Sequence, residues 1–190
     1  MKRLITFLLI VFNTLLLSAQ SHITFKGIPV DGHVSAFVEK MEKIGYTLYD
    51  KYESGYVMRG SFTGKDATIY VMITPKTKTV WKVCATIEKK ENNWETLKNK
   101  YLEYKQNYIN KYGEPEHEFH FFMSPYSEGD GKEIQAIEED KCCYACYFRL
   151  EGGTIRVNIS NFKTIDLGYE DAINVKILEA EHSSMIYDDI

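Results

Sequence analysis

The segment YVMRGSFTGKDATIYVMITPKTKTVWKVCATI, residues 56–87, decides the fold. Tyr56 to Phe62 mixes aromatic, β-branched and small residues, and Gly64-Lys65-Asp66 supplies a turn. Ala67, Ile69, Val71 and Ile73 then alternate, which puts them on one face of a strand and leaves Tyr70 and Met72 on the other. Pro75 has no amide proton to give a ladder and stops that strand. Beyond it Trp81, Val83, Ala85 and Ile87 alternate again, with Cys84 facing the opposite way. Three strands joined by short turns form an antiparallel meander.

Working upstream, Val34, Phe37, Val38, Met41 and Ile44 recur at helical spacing, with Asp31 as the expected cap and Gly45 as the stop. Downstream, a polar link from Glu88 to Asn93 leads into a second helix. Asn93 caps it, Leu97, Tyr101, Tyr104 and Tyr108 form its apolar stripe, and Tyr112-Gly113 with Pro115 ends it. Those tyrosines fit either a sheet-packed core or the wall of a groove. Phe119, Phe121 and Met123 suggest a further strand, and Ser124 to Lys132 an exposed loop. Glu133 to Glu139 fits a helical turn or a strand. Cys142 to Leu150 and Thr154 to Ser160 pair around Gly152-Gly153, with Ile155, Val157 and Ile159 on one face and Thr154, Arg156 and Asn158 on the other. Ile173, Val175 and Ile177 place a last strand over 172–178, and the acidic tail 179–190 is expected to fray. The pattern predicts an α+β fold, an antiparallel sheet built from two helix-plus-meander units with the helices packed on the sheet. A helix-plus-three-strand unit spans 21–88, and a helix-plus-antiparallel-strand unit spans 93–190, within one composite domain.

Three stretches carry a resemblance: Phe25-Lys26-Gly27-Ile28-Pro29, Gly55 with Gly60-Ser61-Phe62-Thr63-Gly64, and Lys111-Tyr112-Gly113-Glu114-Pro115. They resemble small uncharacterised secreted proteins of Bacteroidetes-type bacteria. A helix followed by a Lys-Tyr-Gly-x-Pro stop and strands is also loosely similar to the tandem β-lactamase-inhibitor-like fold. That likeness implies protein binding and carries no catalytic motif.

The first twenty residues, MKRLITFLLIVFNTLLLSAQ, read as a secretory signal peptide: Lys2 and Arg3, an apolar run to Leu17, then small Ser18 and Ala19. The expected location is therefore periplasmic or secreted. With 23 basic and 27 acidic residues the chain is mildly acidic, and its charges are interspersed. This disfavours a nucleic-acid or anionic-membrane partner, which would need a concentrated positive patch. No apolar segment after residue 20 approaches membrane length.

Export permits disulfides, so Cys84, Cys142, Cys143 and Cys146 are disulfide candidates. A bond from Cys84 to the later cluster would close a loop of roughly 60 residues and contribute on the order of 4 kcal/mol. Buried thiols remain an alternative, and so does redox chemistry through the Cys143-Tyr144-Ala145-Cys146 spacing. No phosphate loop, nucleophile elbow or His-Glu-x-x-His spacing occurs, so no catalytic residue, metal ligand or cofactor is assigned. His117 and His120 would lie on opposite faces of a strand. The function expected is a non-enzymatic binding module of the cell envelope. Its partner would be an envelope or extracellular protein, with Tyr70, Tyr144 and Tyr147 as candidate anchors. The alternative is a thiol-disulfide enzyme using Cys143 and Cys146.

Overall fold

A computed structural model describes residues 21–87 and 89–188; the signal peptide assigned to 1–20 lies outside the described residues. A short hairpin, β1 (Thr24–Phe25) and β2 (Ile28–Pro29), precedes helix α1 (Val34–Lys43). Four strands follow, β3 (Thr47–Tyr52), β4 (Gly55–Phe62), β5 (Lys65–Ile73) and β6 (Val80–Ile87). The second unit comprises α2 (Trp94–Tyr112), β7 (His117–Phe122), α3 (Glu133–Glu138), β8 (Cys142–Leu150), β9 (Gly153–Ile159), β10 (Ile165–Asp171) and α4 (Ala172–Asp188).

The eight long strands form one sheet in the order β3-β4-β5-β6-β10-β9-β8-β7, and every pairing is antiparallel. The α+β expectation with sheet-packed helices therefore holds. Each unit contributes a four-stranded meander, and the two last strands, β6 and β10, meet at the centre. The core lies between the sheet and the helices. Val34, Phe37, Val38 and Met41 of α1 are buried, as are Leu97, Tyr101 and Tyr108 of α2, so the stripe is core except at half-buried Tyr104, which borders a hollow. Phe25 stacks on Phe62 at 5.0 Å and meets Tyr169 edge-on at 5.2 Å. The Tyr108 and Tyr169 hydroxyls are 2.5 Å apart, giving this aromatic cluster its internal polar partner.

Several local expectations change. Strand β3 has no clean apolar alternation because it is an edge strand with almost every side chain exposed. A bulge at the start of β6 sends Val80 into the core position expected for Trp81: Ile73 faces Val80 while Met72 faces Lys82. His33, not Asp31, caps α1 by accepting from the Ser35 amide. The strand expected over 172–178 is instead the start of α4. Asp171 Oδ1 accepts from the amides of Ile173 and Asn174, each at 3.0 Å, and so turns the chain from β10 into a helix.

Helix α4 then joins the two units. Asn174 Nδ2 donates to the carbonyl oxygens of Val30 (3.0 Å) and Val80 (2.9 Å). Two turns further, Glu181 accepts from the Lys76 amide at 2.6 Å and from the Thr77 hydroxyl at 2.6 Å. Residues 22 and 23 are fixed nearby, where Asp171 Oδ2 takes the Ile23 amide and the His22 ring. A Cβ on Gly152 would sit 2.5 Å from the Ser21 carbonyl oxygen, so only glycine lets residues 21–23 run this close.

Candidate interaction face

Because side chains alternate along a strand, the residues between core positions all reach the face that carries no core. The registers align them into rows. One row runs Val57, Tyr70, Cys84, Gly168, Arg156, Tyr147, His117. The next runs Arg59, Thr68, Thr86, Asp166, Asn158, Ala145, Phe119. A third carries Met72, Lys82, Glu170, Thr154 and Arg149.

Two aromatic wings flank a polar centre. On the β3 side, Tyr49 (59% exposed), Tyr52 (57%) and Tyr70 (41%) stand out, and the Arg59 guanidinium lies 3.5 Å over the Tyr49 ring. On the β7 side are Phe119 and Phe121, with Phe119 edge-on to Tyr147 at 6.0 Å. In the centre, Lys82 pairs with Glu170 at 3.1 Å and the Thr86 hydroxyl donates to Asp166 at 2.8 Å. Burial pushes the Asp166 carboxyl above its ordinary range, against the pull of the Thr86 hydroxyl and the Arg156 guanidinium.

Gly168 leaves a depression of about 90 Å³ bounded by Lys82, Tyr147, Thr154, Arg156 and Glu170. Arg156 also borders a second hollow of about 300 Å³ with Asn158, Asp166 and Ser160. Its Nε and the neighbouring Asn158 Oδ1 are buried with no hydrogen-bond partner among the described residues. A larger hollow, about 600 Å³, lies at the seam beside α2, with Lys65, Lys100 and Glu103 around Leu97 and Ile165. Lys100 is already paired with Glu91.

Of the expected anchors, Tyr70 and Tyr147 lie on the open face: Tyr147 borders the Gly168 depression, and Tyr70 stands on β5, two strands from β10. Tyr144 does not. It is 4% exposed on the helix side, edge-on to Trp94 and Tyr101, with its hydroxyl on Glu128, and leaves no surface for a partner.

The disulfide expectation is overturned: all four cysteines are free. Strands β10 and β9 separate β6 from β8, so Cys84 lies roughly 14 Å from the later cluster at ordinary strand spacing, beyond disulfide reach. Within β8, Cys142 and Cys146 face the helices while Cys143 faces the other way. Burial pushes the Cys84 and Cys146 thiols up to about 11 and Cys142 to about 12, and raises Cys143 as well. A nucleophilic dithiol needs the opposite shift and a shared face. His117 and His120 lie on opposite faces as expected; His120 bonds the Tyr101 hydroxyl at 3.0 Å and stacks on Tyr144. No group of three or more His, Cys, Asp or Glu side chains is placed to hold a metal among the described residues.

Sequence reading missed Asp166 and Gly168 because β10 went unrecognised. The polar alternation Thr154, Arg156, Asn158 was the available signal for the rest. No helix among the described residues is long and apolar enough to cross a membrane. Comparison with family models, curated proteins and solved structures finds no match.

Proposed function

We propose that this chain is an exported, non-enzymatic module that binds a folded envelope or extracellular protein through the open face of its sheet. The observation that carries this reading is one sheet face left without helices, with aromatic wings around a half-buried arginine whose Nε has no partner. Tyrosine and arginine dominate binding energy when a partner dries them, and the planar arginine fork loses less entropy per hydrogen bond formed than a lysine. The partner fitted by this face presents carbonyl or carboxylate oxygens to Arg156 and apolar groups to the wings. The leader at residues 1–20 supports a periplasmic or secreted site of action.

The thiol-disulfide alternative loses its support with Cys143 and Cys146 on opposite faces and both thiols raised. The binding reading is tested by crosslinked capture from envelope extract with three baits. Wild type and Lys43→Ala, changed on the exposed face of α1, are expected to retain the same partner, and Tyr70→Ala/Arg156→Ala to lose it. Equal capture by all three would remove the open face from the function.

A further inference from the structure

The sheet has two edges, and only one is protected. Strand β3 is broken by a bulge between Leu48 and Asp50 and carries the charges of Asp50 and Lys51, devices that discourage another strand from pairing. Strand β7 lacks the bulge, and its one formal charge, Glu118, lies on the helix side and is paired with Lys105 of α2. Its six residues, HEFHFF, hold unbroken register with β8 from His117 opposite Tyr147 to Phe122 opposite Cys142. It contains no lysine, proline or bulge, and its first five side chains are exposed, Phe119 by 43% and Phe121 by 44%. Among the described residues its only strand partner is β8. An edge of this kind, with alternate amides and carbonyls unpaired, is a template for strand addition.

We infer that β7 pairs antiparallel with β7 of a second copy, joining two eight-stranded sheets into one. The strand is complementary to itself in one register. A two-fold axis normal to the sheet must pass through a residue that faces its own counterpart, because cross-strand neighbours share a face. With the axis at Phe119, the two Phe119 rings meet and His117 faces Phe121 of the second copy on the open side. On the helix side Glu118 faces His120 of the second copy, twice. That carboxylate-imidazole pairing already occurs within the strand, where Glu118 and His120 approach to 3.0 Å. Moving the axis to His120 would set the two imidazoles against each other and Glu118 against Phe122, so the first register is favoured. Pairing at this edge brings the two open faces side by side.

The test is sedimentation velocity on the purified protein from about 1 to about 200 µM, where mass action must reveal a dimer. Wild type is expected to dimerise with rising concentration. Phe119→Lys is expected to weaken dimerisation by at least about tenfold, equivalent to roughly 1.4 kcal/mol, whereas Tyr49→Lys on the other edge leaves it unchanged. Hydrogen exchange on wild type needs no variant: β7 amides gain protection with concentration while β3 amides do not. A monomer throughout, or a dimer indifferent to Phe119→Lys and without added β7 protection, overturns the inference. Tyr70→Ala/Arg156→Ala, off the β7 edge, is expected to lose partner capture and still dimerise, which separates this contact from the binding reading.

Discussion

On β8, Tyr144, Cys146 and Phe148 are 4%, 0% and 1% exposed, while Tyr147 and Arg149, a single residue along, reach the open side. The same contrast runs through β5, β9 and β10. One face is closed by α2 and the β1-β2 hairpin, and its side chains gain their free energy by leaving water. The other is not closed by anything within the described residues. Val57, Cys84 and Ala145 are buried among their neighbours on this face, and several of its polar side chains are held firmly: Arg59 over Tyr49, Lys82 on Glu170, Asp166 under Thr86. On the binding reading proposed above, stability and recognition fall on alternate residues of the same strands, which makes them separable by substitution.

The largest effect is expected from a core truncation. Phe148→Ala removes a fully buried ring that packs on Tyr108 at 5.9 Å, and should destabilise by about 3–5 kcal/mol in urea denaturation. A loss below about 1 kcal/mol would mean that the helix side is not the core. Next comes the junction between the units. Asn174→Ala leaves the buried carbonyls of Val30 and Val80 without their donor, at a cost of about 1–3 kcal/mol. If α4 is only an appendage, its melting will instead precede and leave unchanged the main transition.

How much of this was legible follows from where the physics is local. The alternation in β5, β6, β8 and β9 is written in consecutive side chains, and the Asn93 cap and Gly113 stop of α2 are set by their own few residues. Strand β3 was not legible, since an edge strand needs no apolar face. Strand β10 was hidden because Gly168 and Asp171 break its pattern for reasons of packing and capping that lie elsewhere in the fold. Ile173, Val175 and Ile177 alternate as a strand would, but the Asp171 cap and the contacts of Asn174 and Glu181 select a helix. The open face was half legible. Tyr70 and Tyr147 were recognisable as outward, whereas Tyr144 shares the strand phase of Cys146 and is core. The centre built by Arg156, Asp166 and Gly168 depends on β10 meeting β6, a pairing of residues about 80 apart that no local pattern encodes.

A smaller effect, with a sign, is expected at Asp166 on the open face. Burial raises its folded-state pKa above that of the unfolded chain, so the folded protein holds the proton more tightly. Its contribution favours folding below the unfolded value of about 3.9 and is lost as pH rises through the raised folded value. Wild type should therefore lose stability relative to Asp166→Asn between about pH 4 and the folded pKa, with a constant difference above it. A difference independent of pH would place the carboxyl in open water.

The smallest effect on folding should come from Tyr70→Ala. The ring is 41% exposed, with Cys84 and Val57 as its cross-strand neighbours, and a surface truncation of this kind changes stability by about 0.5 kcal/mol or less. Its consequence is expected in recognition: if the open face binds protein, an exposed tyrosine in the row that runs through Gly168 is placed to cost partner affinity about tenfold or more. The variant therefore reads both sides of the contrast in one protein. A loss of stability comparable to Phe148→Ala would show the open face to be core, covered by something outside residues 21–188. Unchanged stability with unchanged capture would leave the face without a partner at Tyr70 and move the search to the β7 wing. Only unchanged stability with lost capture separates the two faces as their burial does.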